Sequence, residues 1–527
     1  MSKGDVEIWA LPPSWQWAAM GDATTVIGGG TPSTTDPKNF VGSVPWITPA
    51  DMSAHVGKTI SGGARFISEP ALEKSGARWL PTGAVLFSSR APIGYVAIAA
   101  RPVTTNQGFK SFVPQHGVNS NFVYHWLTSA KPLAEKLANG TTFLEISGAN
   151  AALIPFPLAP AAEQTRIVEK LEELLSDLDA GVAELKAAQK KLAQYRKALL
   201  KAAVEGSLTA KWRAARLSTA AGIRATGDDK TGAQLLARIL TERRKRWEAK
   251  QLAKFAELGK APPKDWQSKY PKPVTPDTTD LPALPAGWVW ASVESLISEI
   301  ETGKSFKCDE HPPTASEIGV VKVSAVSWGE FDEQESKTCV DDARINDMLF
   351  VRSGDFLFSR ANTVELVGAC VIAEKVNLKV MLSDKILRFV FVEESLKHWL
   401  LTLLRSELGR KQIELLASGN QESMRNIGQE RIRQIVVPLP STAEIAYCLH
   451  ALREMFDAAR LNERAIATAL KQSTAQRKNI LKTAFSGQLV PQDPNEEPAS
   501  ALLARIRAER AENSKAKPVA KRRTITA

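Results

Sequence analysis

The stretch Thr302-Gly303-Lys304-Ser305 has the residue types of a phosphate-binding loop. In such a loop, backbone amides cradle the phosphates, the lysine contacts them and the last hydroxyl binds magnesium. The pattern also requires a glycine five residues before Gly303, and Ser298 stands there. Gly28-Gly29-Gly30 lacks the lysine and a preceding strand, so it predicts a turn. The sequence therefore predicts no nucleotide-binding loop.

Other catalytic patterns are equally weak. Glu184-Leu185-Lys186 imitates a nuclease Glu-x-Lys, but its spacing fits the charged flanks of a coiled coil better. The chain has no Asn-Pro-Pro or Asp-Pro-Pro tetrapeptide of the amino-methyltransferase type and no glycine-rich cofactor loop. We therefore expect no catalytic residue, no cofactor and no metal site on this chain.

The cysteines and the hydropathy of the chain indicate its cellular compartment. The four cysteines, Cys308, Cys339, Cys370 and Cys448, lie far apart in sequence without a CxxC pair, and the six histidines do not cluster. This usage is typical of a reducing compartment, without a disulfide framework or zinc site. No apolar run approaches 18 residues, and the N-terminus lacks a signal-peptide core. We expect a cytoplasmic protein that does not associate with a membrane.

Arginine, asparagine and glutamine in predicted loops offer a different chemistry, because their paired donors and acceptors distinguish bases in the major groove of DNA. The candidates for DNA contact also include two lysines. They are Arg90, Asn106, Gln107 and Lys110 in the first half of the chain and Arg360, Lys385, Arg388, Asn420, Gln421 and Arg425 in the second. The alternatives are that each is structural or contacts phosphate only. Arg388 alternates with apolar neighbours on a predicted strand, so it could instead face solvent.

Positive charge is unevenly distributed. The formal net charge is +11, and residues 196–260 hold 16 Lys and Arg against 6 Asp and Glu. Such a surplus favours a polyanionic partner, most often nucleic acid. We expect Arg243, Arg244 and Lys245 to contact phosphate or dock a partner subunit. The C-terminal tail repeats the bias, and for it a solvated surface is the alternative.

A long helix could hold such loops in place. Apolar residues recur at alternating steps of four and three between Glu163 and Ala203, which is a heptad seam. Its main positions are Ile167, Leu171, Leu174, Leu178, Leu185, Leu192 and Leu199, with Gly181 and Tyr195 also in phase. At about 1.5 Å per residue, the helix is roughly 60 Å long.

The seam returns in the second half of the chain, at a sequence offset of 281. Arg196-Lys197-Ala198-Leu199-Leu200-Lys201 corresponds to Arg477-Lys478-Asn479-Ile480-Leu481-Lys482, and the same offset predicts seam positions at Leu452, Met455, Ile466 and Ile480. We infer that the two helices pair antiparallel; the alternative is two unrelated amphipathic helices. Gly181 and Asn462 fall at equivalent positions, where they either hold the register or lie on an exposed edge.

The regions around the helices also repeat. Trp15-Gln16-Trp17 is matched by Trp288-Val289-Trp290, and Phe87-Ser88-Ser89-Arg90 by Leu357-Phe358-Ser359-Arg360. We predict an α+β fold in which two similar mixed α/β domains are separated by two long antiparallel coiled-coil helices, with a pseudo-two-fold internal repeat. The predicted bounds are 1–160 for the first domain, 161–205 for the first long helix, 206–283 for a basic helical connector with a Pro-rich linker, 284–441 for the second domain, 442–486 for the second long helix and 487–527 for the basic tail.

Shorter elements follow from local signals. We expect one helix from Asn121 to Leu137 and one from about Lys397 to Leu416. Ser441 with Glu444 predicts a capping box at the start of the second long helix. Gly206 and Gly487 stand where a helix-ending glycine is expected.

This duplicated order, with Arg-Lys-x-[Leu/Ile]-Leu-Lys-x-Ala at each helix end and Pro157-Leu158 and Pro438-Leu439 before each helix, resembles the specificity subunit of type I restriction-modification systems. The resemblance implies two target recognition domains that read the halves of a bipartite double-stranded DNA target, with the helices setting the gap. It implies as partners two methyltransferase subunits carrying S-adenosylmethionine, and restriction/translocase subunits that use ATP and Mg. It implies no catalytic residue and no cofactor on this chain. The connector and tail depart from the family's pattern.

Two other classes fit the same residues. One is a stand-alone two-headed DNA-binding or architectural protein, which would purify without a methyltransferase partner. The other is a coiled-coil scaffold without nucleic acid, which would show no salt-dependent binding to duplex DNA.

Overall fold

A computed structural model describes residues 9–90, 92–140, 144–219, 231–279, 281–421 and 424–515. The chain forms two compact units, one comprising Met1–Lys186 with Ile466–Ala527 and the other Ala187–Ala465. Each long helix therefore contributes one half to each unit.

The first unit is built around a five-stranded sheet. Its strands lie in the order Thr24–Gly28, Lys110–Pro114, Val85–Ser89, Ile93–Ala99 and Thr59–Ile60, and only the last pairs in parallel. A three-stranded sheet has the order Arg65–Ile67, Val44–Ile47 and Thr104–Thr105, and Gln16–Ala19 pairs with Pro155–Leu158. The helices are Met20–Ala23, Pro49–Ala54, Glu69–Lys74, Ser120–Ser129, Lys131–Leu137 and Gly148–Ala152.

The second unit contains a four-stranded antiparallel sheet in the order Ile297–Thr302, Ile386–Phe391, Asp355–Ser359 and Cys370–Ala373. A second sheet has the order Cys308–Asp309, Ser336–Cys339, Ile318–Val321 and Lys379–Met381. A third has the order Ala361–Asn362, Met424–Asn426 and Ser418–Gln421, and Val289–Ser292 pairs with Val436–Leu439. The helices are Val293–Leu296, Lys397–Arg405, Glu407–Leu416 and Gln429–Arg433.

The two units share a framework and differ at its margins. Each has an antiparallel two-stranded ribbon that joins the start of the domain to the residues just before a long helix. Four strands follow in the same spatial order in both units, whereas the small sheets differ in strand number and connection. The predicted α+β repeat is confirmed.

The two helices predicted at 121–137 and 397–416 are each broken into two. In the first, Ala130 leaves helical geometry and Pro132 lies in the first turn of Lys131–Leu137, because proline has no amide hydrogen to continue the preceding helix. In the second, Ser406 adopts extended geometry, and its hydroxyl accepts from the Gly409 amide at 3.3 Å. Serine is a preferred residue at a helix start, so it begins a new helix here.

The long helices run from Ala161 to Val204 and from Thr442 to Phe485, 44 residues each. In the first unit their halves are antiparallel, since Glu163 contacts Gln492 beyond the end of the second helix while Asp179 pairs with Arg477. In the second unit, Arg196 lies 3.3 Å from Glu463, and the residues that follow the first helix contact the start of the second. The predicted antiparallel pairing is confirmed within each unit.

The predicted seam residues are all buried or partly buried: Ile167, Leu171, Leu174, Leu178, Leu185, Leu192, Leu199, Leu452, Met455, Ile466 and Ile480. Gly181 and Tyr195 are exposed, and Val182 and Arg196 are partly buried in their place. The placement of Gly181 and Tyr195 in the seam is therefore wrong. Leu178, Leu185, Leu192 and Leu199 keep a strict seven-residue spacing, and the second seam position lies one residue later than predicted, at Val182 and Arg196. Asn462 is also exposed, so it lies on an open edge.

Each long helix ends two residues before the predicted glycine, which adopts the left-handed region. Gly206 has φ +75° and Gly487 has φ +72°. A Cβ on Gly206 would lie 2.7 Å from Pro285, and one on Gly487 would lie 2.3 Å from Pro12. Only glycine combines this backbone geometry with so close a packing against the opening of a domain.

The short helix Ala210–Thr219 follows the first long helix, and two further helices complete the repeat. The connector helix, Gly232–Glu257, buries Leu235 and Ile239, and the tail helix, Ala499–Lys515, buries Leu502 and Ile506. The buried pairs lie at matching positions of Leu-Leu-Ala-Arg-Ile in both helices. The connector helix thus packs on the second unit as the tail helix packs on the first.

Candidate nucleic-acid interface

Three charged side chains meet at the end of the strand Val85–Ser89. Arg90 Nη1 lies 3.5 Å from Glu145 Oε2, and Lys110 Nζ lies 3.8 Å from Glu145 Oε1. The side chains of Arg90 and Glu145 are 38% and 41% exposed. The Arg90–Glu145 pair is long and reaches solvent, whereas Lys110 is only 16% exposed, so Arg90 is the cation of the cluster that can also contact another anion.

Asn106 and Gln107 lie in the loop that leads to Lys110. The Asn106 side-chain oxygen accepts from the Gly108 amide at 2.9 Å, and the Gln107 side-chain oxygen accepts from the Thr31 hydroxyl. Lys110 Nζ donates to the Gln107 carbonyl at 3.3 Å. The four candidates of the first domain are thus brought together, although whether they contact DNA stays a prediction.

Arg360 and Lys385 meet at the corresponding place in the second unit. The Arg360 amide donates to the Lys385 carbonyl at 2.9 Å, and Arg360 Nε donates to Asn426 Oδ1 at 3.3 Å. Arg360 and Lys385 are partly exposed and Asn426 is exposed. This cluster carries two cations and an amide where the first domain has two cations and a carboxylate.

The remaining loop candidates of the second domain lie on the adjoining hairpin, residues 418–426. Asn420 and Gln421 belong to the strand Ser418–Gln421, and their side chains lie outside the described structure. Arg425 is on the facing strand, and its Nη1 donates to the Gly419 carbonyl at 3.0 Å. The hairpin therefore brings these three positions next to Arg360, through the pairing of Asn362 with Arg425.

Arg388 is placed differently from the other candidates. Its side chain is 10% exposed and forms ion pairs with Glu301 at 2.5 Å and Asp355 at 2.9 Å. Its remaining donors reach the carbonyls of Met348 and Phe350 at 2.6 and 2.7 Å. The alternative that Arg388 faces solvent is wrong. All of its N–H groups are used within its own domain, where it joins a sheet to a loop.

The segment that contacts each arginine has an equivalent in the other domain. Ile146 donates its amide to the Ser89 carbonyl at 3.0 Å, and Ile427 donates to the Arg360 carbonyl at 2.9 Å. The two isoleucines are related by the same offset of 281 as the long helices. The two isoleucines differ by one residue in their pairing, since Ile146 bonds the residue before Arg90 and Ile427 bonds Arg360 itself. Each arginine nevertheless contacts the side chain that directly precedes the isoleucine, Glu145 or Asn426.

Glu145 and Asn426 were not among the sequence candidates. Each directly precedes one of the matched isoleucines and keeps the offset of 281 that relates Pro155–Leu158 to Val436–Leu439. Extending the repeat backward from these strands would have found the pair. The contacts of Glu145 and Asn426 with the two arginines could not be predicted from the sequence, because 55 residues separate Arg90 from Glu145 and 66 separate Arg360 from Asn426.

The basic run of the connector helix is only partly open to a ligand. Arg243 is 5% exposed, and it donates to the Ile297 carbonyl at 3.1 Å, the Tyr270 hydroxyl at 2.8 Å and the Pro271 carbonyl at 2.9 Å. The expectation that Arg243 meets phosphate or a partner is corrected: it anchors the linker and the connector helix to the domain. Arg244 and Lys245 are exposed, with Arg244 3.0 Å from Glu248.

The four cysteines are all free thiols. Cys308 and Cys339, distant in sequence, face each other on adjacent antiparallel strands. Burial raises the pKa of Cys370 and of Cys448 to about 12. In the described part of the chain, no group of three or more His, Cys, Asp or Glu side chains is arranged to hold a metal.

The rejected phosphate loop has no regular secondary structure after Thr302, which ends the strand Ile297–Thr302. Gly303 donates its amide to the Ser383 carbonyl at 3.2 Å, and a Cβ there would lie 1.7 Å from the Leu382 carbonyl oxygen. The segment continues into the short strand Cys308–Asp309 rather than a helix, so it offers no helix N-terminus to a phosphate. Among the helices described, none is long and apolar enough to cross a membrane.

Comparison with known families agrees with this architecture. Residues 12–187 match the family described as "Type I restriction modification DNA specificity domain". The match covers the first domain and the first half of the first long helix.

Individual relatives extend the similarity. The chain is 39% identical over 170 residues to the type I restriction enzyme MjaIX specificity subunit of Methanocaldococcus jannaschii, and 28% identical over 319 residues to the EcoEI specificity subunit of Escherichia coli. These alignments cover 32% and 57% of this chain, but only 39% and 53% of the relatives. The EcoKI specificity subunit of Escherichia coli is 25% identical over 76% of this chain and 73% of its own length.

Solved structures share the fold. The HsdS subunit of Thermoanaerobacter tengcongensis aligns with 92% of this chain and 99% of its own, at a TM-score of 0.50 and 17% identity. A chain from a structural study of complex assembly and conformational transition of the type I R-M system aligns with 91% of this chain and 100% of its own, at a TM-score of 0.57 and 16% identity. The predicted fold class is confirmed over nearly the whole chain.

Proposed function

We propose that this chain, which belongs to the family of type I restriction-modification specificity subunits, reads DNA sequence for a methyltransferase and restriction complex. Each domain reads one half of a bipartite double-stranded target, and the two long helices set the gap and dock the partner subunits. The supporting observation is the repeated cluster: Arg90 and Arg360 lie at matching strand ends, and each contacts a polar side chain at an equivalent position, Glu145 in one domain and Asn426 in the other. A common framework with different loops suits the reading of two different half-sites.

In this function the chain supplies recognition and no catalysis. Two methyltransferase subunits holding S-adenosylmethionine modify the target, and restriction/translocase subunits using ATP and Mg act on unmodified DNA. The surplus of positive charge favours the approach to DNA, and the arginine and amide side chains supply geometry that discriminates bases. The complex acts inside the cell, where its DNA target is.

The direct test is a methylome of cells that express this chain with its neighbouring subunits. We expect one bipartite motif with a gap of unspecified bases. Arg90→Ala should relax one half-site and leave the other unchanged, because it removes contacts from one domain only. Arg101→Ala is the control, since Arg101 is an exposed arginine of the same domain that donates to the Ser61 carbonyl at 2.6 Å. A methylome without any bipartite motif, or a chain that purifies without a methyltransferase, would count against this function.

The spacer role is tested by length. Inserting one heptad after Ala188 and one after Ala469 keeps both seams in phase and lengthens each helix by about 10 Å. That length corresponds to about three base pairs at the 3.4 Å rise of duplex DNA. We expect the same half-sites with a longer gap. If an assembled protein of this kind still methylates the original gap, the helices do not set it.

The connector is tested with its exposed lysines, because Arg243 is needed for packing. Lys245 and Lys254 are both exposed. If they bind phosphate, alanine at both should reduce the dependence of log affinity on log salt by roughly 0.9 for each phosphate that is no longer neutralised, without altering sequence preference. An unchanged salt dependence combined with weaker subunit assembly would instead favour partner docking.

A further inference from the structure

Glu145 and Asn426 occupy equivalent positions of the repeat and differ in chemistry. Each lies directly before a fully buried isoleucine and the short helices Gly148–Ala152 and Gln429–Arg433. Glu145 is 41% exposed at its side chain, and Asn426 is also exposed. Neither side chain is needed to fill a core, so its chemistry is available to a ligand.

The surroundings of Glu145 are unusual for a surface that meets DNA. A carboxylate repels phosphate, yet this one lies 3.5 Å from Arg90 and 3.8 Å from Lys110. The two cations offset its charge, so the carboxylate can approach DNA at a base edge. Among the major-groove edges, the N4 amino group of cytosine is the donor that suits a carboxylate.

Asn426 presents a neutral amide where Glu145 presents a carboxylate. Its Oδ1 accepts from Arg360 Nε at 3.3 Å, and its amide group combines a donor with an acceptor. Asparagine pairs in this way with N6 and N7 of adenine in the major groove. The matching position in the two domains therefore presents an acceptor in one and a donor–acceptor pair in the other.

We infer that Glu145 and Asn426 are equivalent specificity-determining residues, Glu145 selecting cytosine at one position of its half-site and Asn426 selecting adenine at one position of the other. This inference rests on the proposed function. Arg90 and Arg360 position the two side chains and contact the neighbouring bases or phosphates.

The experiment is selection from a pool of randomised duplex DNA by the full-length chain assembled with its methyltransferase subunits. Wild type, Glu145→Asn, Asn426→Glu and the control Glu135→Gln are compared. Glu135 is a matched control, because it pairs with Lys131 at 3.8 Å and its side chain is 42% exposed. We expect Glu145→Asn to exchange cytosine for adenine at one position, with discrimination against the original base changed roughly tenfold to hundredfold. Asn426→Glu should make the reciprocal exchange in the other half-site.

The unaltered half-site of each variant reports whether the protein is folded and assembled. If the wild type selects a bipartite sequence and both variants select the same one, the inference fails while the proposed function stands. Equal weakening at every position of both half-sites would also overturn it, since that result means a structural role. If the wild type selects no bipartite sequence, the proposed function itself fails.

Discussion

Two buried glutamates at equivalent positions of the repeat, Glu163 and Glu444, begin the two long helices with different partners. In the second unit, Glu444 Oε1 accepts from the Thr209 hydroxyl at 2.6 Å and from Arg213, and Oε2 accepts from the Trp288 indole at 3.0 Å. The Glu444 amide also donates to the Ser441 hydroxyl at 3.3 Å. The predicted capping box is thus half formed, because the glutamate side chain is drawn to the neighbouring segments.

In the first unit the equivalent residue, Glu163, has fewer hydrogen-bond partners. Glu163 is 1% exposed, and one carboxylate oxygen accepts from the Gln492 amide. Trp15, the counterpart of Trp288, and Arg166 also favour its charged form, but in the described structure the other oxygen has no partner with hydrogen-bond geometry. Burial raises the pKa of Glu163. The repeat preserves this position at the start of each long helix, whereas the segment packed on it decides how fully the carboxylate charge is compensated.

The largest expected effect is a difference between matched substitutions. Glu444→Gln should lower the free energy of unfolding of the second unit by about 3 kcal/mol, because it leaves Arg213 partly buried without its counter-charge. Glu163→Gln should change the first unit by no more than about 1 kcal/mol at pH 7, since the amide replaces a poorly solvated carboxylate. Urea unfolding followed by hydrogen exchange of peptides from each unit measures both. Equal losses would contradict the comparison.

The raised pKa of Glu163 also makes the stability of the first unit depend on pH in a known direction. Between the ordinary glutamate pKa and the raised value in the folded protein, the native chain binds a proton that the unfolded chain has released. The contribution of Glu163 to stability therefore increases as pH falls through that window, and it should be absent in Glu163→Gln. A pH dependence of first-unit unfolding that is identical in the two proteins would rule this out.

A smaller effect separates two matched arginines. Arg243 of the connector helix is buried, donates to three neutral acceptors and lies 3.8 Å from Glu294. Arg510 of the tail helix is partly buried and donates to the carbonyls of Gly21 and Thr24, both at 2.7 Å. Replacement by alanine should cost about 2–3 kcal/mol at Arg243 and about 1 kcal/mol at Arg510, because more buried acceptors lose their donor at Arg243. Hydrogen exchange of the two helices reports each loss. A greater loss at Arg510 would reverse the ranking.

The smallest effect concerns histidines in the repeated tripeptides His125-Trp126-Leu127 and His398-Trp399-Leu400. Burial lowers the pKa of His125 although Glu172 lies 3.3 Å away, and partial burial followed by Arg453 lowers the pKa of His398. Both histidines favour the neutral form, so their contribution to stability is complete above the ordinary histidine pKa and is lost as pH falls through the lowered values.

Glu172 and Arg453 are themselves related by the repeat offset of 281, which permits a charge exchange. Glu172→Arg should lower the pKa of His125 further, and Arg453→Glu should raise that of His398, because each histidine then faces the opposite charge. Titration of selectively labelled histidines by NMR measures both shifts. An unchanged His398 would mean that desolvation alone sets its pKa.

Local patterns in the sequence were sufficient to predict the architecture. Heptad spacing predicted the long helices, the offset of 281 predicted the duplicated domains, and Gly206 and Gly487 predicted where the helices end. These features depend on side-chain periodicity and on backbone geometry within a few residues, both of which are written directly in the sequence.

Tertiary structure decided which polar groups are available to a ligand. Arg388 and Arg243 looked like their exposed neighbours in sequence, but strand register turns Arg388 toward Asp355 and Glu301, and helix phase turns Arg243 toward Tyr270. Glu145 and Asn426 contact Arg90 and Arg360 only because folding brings together segments that are distant in sequence. A side chain's partners lie tens of residues away or more, so the folded chain determines whether a charge is satisfied internally or left available to a ligand.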